Sequence, residues 1–136
     1  MLYGILINID VDDLERARAF YCDLLGLRVT RRLGKHVLEL SGGAAPIYLL
    51  EKADGTLASN ASTATRTYER HWTPVHLDFV VDDVDATVER AIACGARLED
   101  GAETHVWGRI AHLSDPFGHG FCLIQFSGEG YDALVE

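Results

Sequence analysis

His76 and Asp78 are two residues apart, the spacing that sets two side chains on one face of a β-strand. An imidazole beside a carboxylate can serve as a general base or as a hydrogen-bonding anchor for a ligand. Cys122, in Phe121-Cys122-Leu123-Ile124, could bind a metal or attack an electrophile as a thiolate. Its apolar neighbours read instead as the setting of a small buried hydrophobe. Glu51 adds a carboxylate, so His76, Glu51 and Cys122 are one set that could hold a cation. Glu103-x-His105 with His112 is a second set. Against both stands the ordinary role of such residues: exposed glutamates are common, and strand-end histidines usually hydrogen-bond. Asp10 and Asp78 must lie near a rim, pair with a cation or take up a proton, because a buried lone carboxylate is costly. Trp107 and Arg109, in Thr104-His105-Val106-Trp107-Gly108-Arg109, could supply an aromatic wall and a clamp for an anionic group.

The elements that must position these residues occur twice. Gly4-Ile5-Leu6-Ile7-Asn8-Ile9-Asp10-Val11-Asp12-Asp13-Leu14 reappears seventy residues later as Pro74-Val75-His76-Leu77-Asp78-Phe79-Val80-Val81-Asp82-Asp83-Val84. Each copy alternates with period two, as a half-buried strand does. Each then runs Asp12-x-x-Glu15 or Asp82-x-x-Asp85 into a helical spacing of apolar residues, with that first Asp as the N-cap, and stops at Gly26 or Gly95. Strands are expected at 27–33, 36–41 and 46–52, and again at 96–100, 106–113 and 120–126. Residues 46–52, Pro-Ile-Tyr-Leu-Leu-Glu-Lys, resemble 120–126, Gly-Phe-Cys-Leu-Ile-Gln-Phe. The chain therefore reads as module 1 (3–52), a linker of small polar residues (53–73), module 2 (74–126) and a tail (127–136).

Two tandem strand-helix-three-strand units resemble the vicinal oxygen chelate superfamily of glyoxalases, bleomycin-resistance proteins, fosfomycin-resistance enzymes and extradiol dioxygenases. The resemblance covers 4–126. It rests on Phe20-Tyr21-Cys22-Asp23-Leu24-Leu25-Gly26-Leu27, similar to the family's FY…LG, and Asp115-Pro116-Phe117-Gly118, similar to its DPDG turn. It implies an α+β fold: two βαβββ modules whose cupped mixed sheets surround a ligand cavity, with the helices outside, in a homodimer. Period two places Ile5, Ile7, Ile9, Tyr48, Leu50, Leu77, Phe79, Phe121 and Leu123 toward the helices. Leu6, Asn8, Asp10, Leu49, Glu51, His76, Asp78, Cys122 and Ile124 then face the cup.

The resemblance also implies a divalent metal held by one His or Glu from each of four strands, two per half. The matching positions are Leu6, Leu49, His76 and Cys122, and only His76 keeps the pattern. Leucine offers no lone pair, and one His with one Cys is half a tetrahedral site. The expectation is therefore no metal and no other cofactor. No glycine-rich strand-to-helix motif for a dinucleotide is present either.

Composition bounds the partners. The 136 residues are 48% hydrophobic and 24% charged, enough for a core without disulfides. A net charge of −9 opposes binding to nucleic acid or anionic membranes. No apolar run reaches the ~18–20 residues of a membrane span. Three widely spaced cysteines and no leader-like N-terminus read as a reducing, cytoplasmic setting. The expectation is a metal-free small-molecule-binding protein that sequesters an antibiotic or metabolite. Its ligand-binding residues would be Leu6, Asn8, Leu49, Glu51, His76, Asp78, Trp107, Arg109, Cys122 and Ile124. The alternative is a metal-dependent, or His76-based, lyase, isomerase or dioxygenase.

Overall fold

A computed structural model describes residues 1–136. The fold is α+β, with two helices and two four-stranded mixed sheets in two compact units, 1–68 and 69–136. Neither sheet closes into a barrel.

The first unit runs β1 (Ile7–Val11), α1 (Leu14–Leu25), β2 (Arg28–Arg32), β3 (Val37–Ser41) and β4 (Ile47–Glu51). Its sheet order is β1-β4-β3-β2; β1 and β4 are parallel and the other pairs antiparallel. The parallel pair follows from the crossover through α1, because parallel neighbours cannot be joined by a tight turn. Leu14, Ala17, Phe20, Tyr21 and Leu24 form the buried stripe of α1, and Leu38, Leu40, Ile47 and Leu49 the buried sheet face. Asp13, in extended backbone, caps α1 by accepting from the Arg16 N–H, and Gly26 ends it at φ 67°.

The second unit repeats the plan: β5 (Leu77–Val80), α2 (Val84–Ala93), β6 (Arg97–His105), β7 (Gly108–Ser114) and β8 (Gly120–Phe126), in the order β5-β8-β7-β6. Asp83 caps α2 by accepting from the Ala86 N–H. The N-caps are thus Asp13 and Asp83, one residue later than the expected Asp12 and Asp82. Leu14 and Val84 thereby become the first helical residues, both buried. A second device, also duplicated, holds each helix start to its sheet. The Leu14 N–H donates to the Glu51 carboxylate at 3.2 Å, and the Val84 N–H donates to the Gln125 side-chain oxygen at 2.9 Å.

Three sequence expectations change here. Ile5 is exposed and precedes β1, so it does not pack under a helix. Strand β6 runs on to His105, forming a long hairpin with β7 that turns at Val106-Trp107. Most consequentially, β4 has the opposite phase. Leu49 is wholly buried and pairs with Ile9 and Leu38, while Tyr48 pairs with Asn8 and Glu39 on the other face.

Residues 53–68 fold back on the first unit. Leu57 bridges Thr65, the Arg66 guanidinium donates to Asp10 at 2.7 Å and also to Leu57 O, and the Tyr68 hydroxyl donates to Lys52 O at 2.5 Å. Residues 69–73 join the second unit, where the His71 N–H donates to Gly118 O. The tail forms a short 3-10 helix, Gly130–Leu134, whose Tyr131 ring packs on Phe126 and Trp107.

Candidate functional site

In the second unit, α2 covers one sheet face and leaves the other open. Ladder pairing draws Asp78, Cys122 and His112 into one row across β5, β8 and β7. His76, just before β5, lies on the same face two residues before Asp78, and its Nε2 is 3.1 Å from the Asp78 carboxylate. Cys122 Sγ is 3.2 Å from His112 Nδ1. His76, Asp78 and Cys122 each offer a donor atom, and these atoms all lie within 4.8 Å of one another. Cys122 is buried, and that burial, together with the nearby Asp78 charge, pushes its thiol pKa up to about 12. It is therefore a neutral thiol in this setting and not a free-standing nucleophile. Ile124 continues the face, buried, on β8.

A cavity of about 280 Å³ opens over this row. Arg70, Trp72, His76, Glu99, His112 and Cys122 are among its walls. The Arg70 guanidinium grips Glu99 through two bonds, 2.5 and 2.9 Å, which hold the Glu99 carboxyl below its usual range. Gly120 makes this placement possible. A Cβ there would sit 2.6 Å from an Arg70 terminal nitrogen, so any larger residue displaces the guanidinium. His71, on the same segment, meets His119 with ring nitrogens 3.1 Å apart. Trp72 is 80% exposed, a large indole at the cavity with most of its surface uncovered.

The first unit's open face has a different content. The row runs Asn8, Tyr48, Glu39 and Arg31 across β1, β4, β3 and β2. Glu39 accepts from the Tyr48 hydroxyl at 2.6 Å, from Arg31 at 2.6 and 3.0 Å, and from Thr30 at 2.8 Å. Arg31 first, then the two hydroxyls, lower its pKa to about 2. The same carboxylate raises the Tyr48 pKa.

The expected site residues divide accordingly. His76, Asp78 and Cys122 come together, with Ile124 on the same face. Leu6 lies ahead of β1 and is exposed, and Asn8 is on the open face of the first unit. Four expectations need correction. Leu49 belongs to the core beneath α1. Glu51 is on that helix-side face too, held by the α1 N-terminus and by His36 at 2.7 Å, so it does not join His76 and Cys122. Arg109 points to the helix side of its sheet, gripping Asp85 at 3.0–3.2 Å and Thr104 at 2.7 Å. Trp107 stacks on His105 at 5.0 Å and packs with Phe126 and Tyr131, so its faces are already covered. His112 sits by Cys122, while Glu103 and His105 make a separate 3.5 Å contact, so the second cation set does not assemble.

The sequence reading missed Arg70, Glu99 and the Tyr48–Glu39–Arg31 network. For Tyr48 a signal existed: superposing Pro46–Lys52 on Gly120–Phe126 puts Tyr48 over Cys122 and Leu49 over core Leu123.

The superfamily's metal does not fit this donor set. On the first unit's side Leu6 has no lone pair, Leu49 faces away, and the Tyr48 hydroxyl is committed to Glu39. What remains is a His, an Asp and a Cys on one unit.

Comparison with known proteins places this geometry in context. A family model described as "Glyoxalase-like domain" matches residues 6–124. An anthracycline biosynthesis protein of Streptomyces peucetius is 32% identical over 131 residues, 95% of this chain and 43% of the relative. A probable lactoylglutathione lyase of Synechocystis is 28% identical over 89% of this chain and 93% of its own. Among solved structures, a glyoxalase/bleomycin resistance protein/dioxygenase family enzyme from Burkholderia phytofirmans superposes with TM-score 0.73 at 25% identity, covering 90% of this chain and 97% of that one. A fosfomycin resistance protein from Listeria monocytogenes superposes at 0.70 and 24% identity, covering 95% and 98%. The chain spans under half the length of the anthracycline biosynthesis relatives it matches.

Proposed function

The chain belongs to the glyoxalase-like family, and from that premise we propose that it is a small-molecule-binding protein whose recognition does not run through the family's four-ligand metal. The observation that carries this is the cavity of the second unit. Among its polar walls Arg70 is paired with Glu99 and His76 lies 3.1 Å from Asp78, and its floor carries a neutral thiol. Such a surface binds by shape, stacking and a few hydrogen bonds, as most ligand pockets do. Trp72 supplies the stacking face, and the acidic balance of the chain favours a cationic aromatic ligand. An aromatic polyketide carrying an amino sugar has that chemistry, and the resemblance to anthracycline biosynthesis proteins points the same way. Sequestration of such an antibiotic or metabolite, in a homodimer inside the cell, is the role proposed.

Calorimetric titration with an amino-sugar anthracycline tests the reading. Binding at micromolar Kd or tighter is expected, and Trp72→Ala weakens it by about tenfold, as loss of one stacking or cation–π contact does. No binding of anthracyclines or of simpler aromatic amines defeats the proposal.

The 3.1 Å contact between His76 and Asp78 favours one second reading, acid-base catalysis by His76 on a bound substrate. Turnover lost in His76→Gln with ligand binding retained is the result that selects it.

A further inference from the structure

We propose that His119 is a positioning residue: it clasps His71 and so holds the cavity-lining segment 69–73 in place, and the clasp opens when both imidazoles are protonated, which makes ligand capture sensitive to acid. The acid sensitivity of binding rests on the small-molecule reading; the clasp does not.

Segment 69–73 belongs to the second unit and brings Arg70 and Trp72 to the cavity wall. It forms no helix or strand, so a short set of contacts fixes it to the unit. The His71 N–H donates to Gly118 O at 3.2 Å. The Arg70 guanidinium holds Glu99 and reaches Gly118 O at 3.5 Å. The third contact is between two half-buried rings: His71 Nε2 and His119 Nδ1 are 3.1 Å apart, with the ring planes crossed at 81°. Trp72, the next residue, is 80% exposed, so the backbone that His71 anchors sets where its indole stands.

The partners of the pair decide where its protons sit. His71 Nδ1 lies 3.0 Å from Glu69 O. A carbonyl only accepts, so Nδ1 carries a hydrogen, and in the neutral ring Nε2 is left as the acceptor. His119 Nδ1 is then the donor across the 3.1 Å bond. One added proton is tolerated and strengthens the bond, because a charged donor facing a neutral acceptor is a charge-assisted pair. A second proton sets N–H against N–H and leaves no lone pair between the rings. Histidine is the side chain that changes charge between about pH 5 and 8, so the clasp opens on the acid side of neutrality.

The charged groups around the pair set how far acid can loosen the segment. Asp115, on the turn that carries His119, accepts with Oδ1 from the Phe117 and His119 N–H groups at 2.8 and 2.9 Å. Glu99, on β6, is bonded to Arg70, whose guanidinium also donates to His71 O. Glu69 precedes Arg70 on the segment itself. His76, with Asp78 beside it, and His112 share the cavity walls. Arg70 keeps Glu99 ionised well into acid, and the His71 N–H bond to Gly118 O does not titrate. Arg70 therefore stays when the rings part, and the wall that acid loosens is Trp72.

The test uses the full chain, isotope-labelled for nitrogen NMR. At about pH 7.5 a scalar coupling across the hydrogen bond from His119 Nδ1 to His71 Nε2 is expected, with backbone order parameters of about 0.85 at His71 and Trp72. At about pH 5 the coupling is gone and the order parameters fall toward about 0.6. His119→Ala is loose at both pH values. An amino-sugar anthracycline, used as the probe, binds that variant about fivefold more weakly near neutrality, as loss of one hydrogen bond does. His119→Asn places a non-titrating amide donor near the position of Nδ1, so it keeps the segment ordered in acid and restores the affinity. His76 and His112 are present in parent and variant alike, so the difference isolates the pair. Absence of the coupling near neutrality, parent order parameters that do not change with pH, an ordered segment in His119→Ala, or a loose segment in His119→Asn in acid each overturns the proposal. An anthracycline that does not bind counts against the small-molecule reading alone, because the coupling and order parameters still decide the clasp.

Discussion

Cys122 is a thiol that its surroundings keep protonated. Moving its pKa from 9.0 to about 12 leaves about 1000-fold less thiolate than an ordinary cysteine at the same pH. The protein should therefore alkylate at Cys122 about three orders of magnitude more slowly than a free cysteine peptide, read by mass spectrometry. Glu39 is shifted the other way. Its folded-state pKa of about 2 lies below the ordinary 4.5, so its partners stabilise the fold above that ordinary value. That stabilisation is lost as pH falls from 4.5 toward 2. Glu39→Gln should lower the melting temperature at neutral pH and flatten the acid limb of the stability profile in that window. A variant that matches the parent at neutral pH would show that the network contributes nothing.

At the scale of elements, the paired helix anchors are the most specific feature. Glu51 and Gln125 occupy matching positions at the ends of β4 and β8, and each accepts from the first N–H of its own unit's helix. Gln125→Ala orphans the Val84 N–H and should cost about 1 kcal/mol by denaturant unfolding, similar to removing the Asp83 cap. Gly108, at φ 152°, opens the β6–β7 hairpin directly against Gln125 O, where a Cβ would collide. Gly108→Ala should exceed the cap variants, at about 2 kcal/mol or more. These elements also show what could be read from sequence. The strand-helix joins were legible because Ile5 to Val11 alternates and Asp-rich starts and glycine stops bound each helix. Strand β4 was not legible from alternation, because Ile47-Tyr48-Leu49-Leu50 is apolar throughout; only its match to 120–126 carried the phase. In the structure that phase is fixed by pairing with β1 and by the Tyr48 hydroxyl reaching Glu39. Arg70 and Glu99 were invisible because twenty-nine residues separate them and neither sits in a motif.

At the scale of the whole molecule, two units of nearly equal length carry two different open faces. One is closed by a Tyr–Glu–Arg network and the other presents His, Asp and Cys beneath a cavity. The net charge of −9 acts at this scale too: affinity for a cationic ligand should fall several-fold as salt rises, more than screening of a neutral analogue allows. Within the first unit, residues 59–64 are exposed and form the tip of the turn closed by Leu57 and Thr65. Limited proteolysis should cut there first, giving fragments that begin or end at 59–64. First cleavage within 97–105 would contradict this reading of the loop.

The parallel pairing of β1 with β4, and of β5 with β8, has a consequence for biosynthesis. In each unit the first strand made is a sheet edge, and its only ladder partner is the last strand made, forty or more residues later. A ribosome therefore releases β1 as a strand with nothing to pair to, and its apolar side chains stay uncovered until Glu51 has emerged. The same wait is repeated from Leu77 to Phe126. Translation speed across 12–46 and 81–119, rather than final stability, then sets how long each sticky edge is offered to other nascent chains.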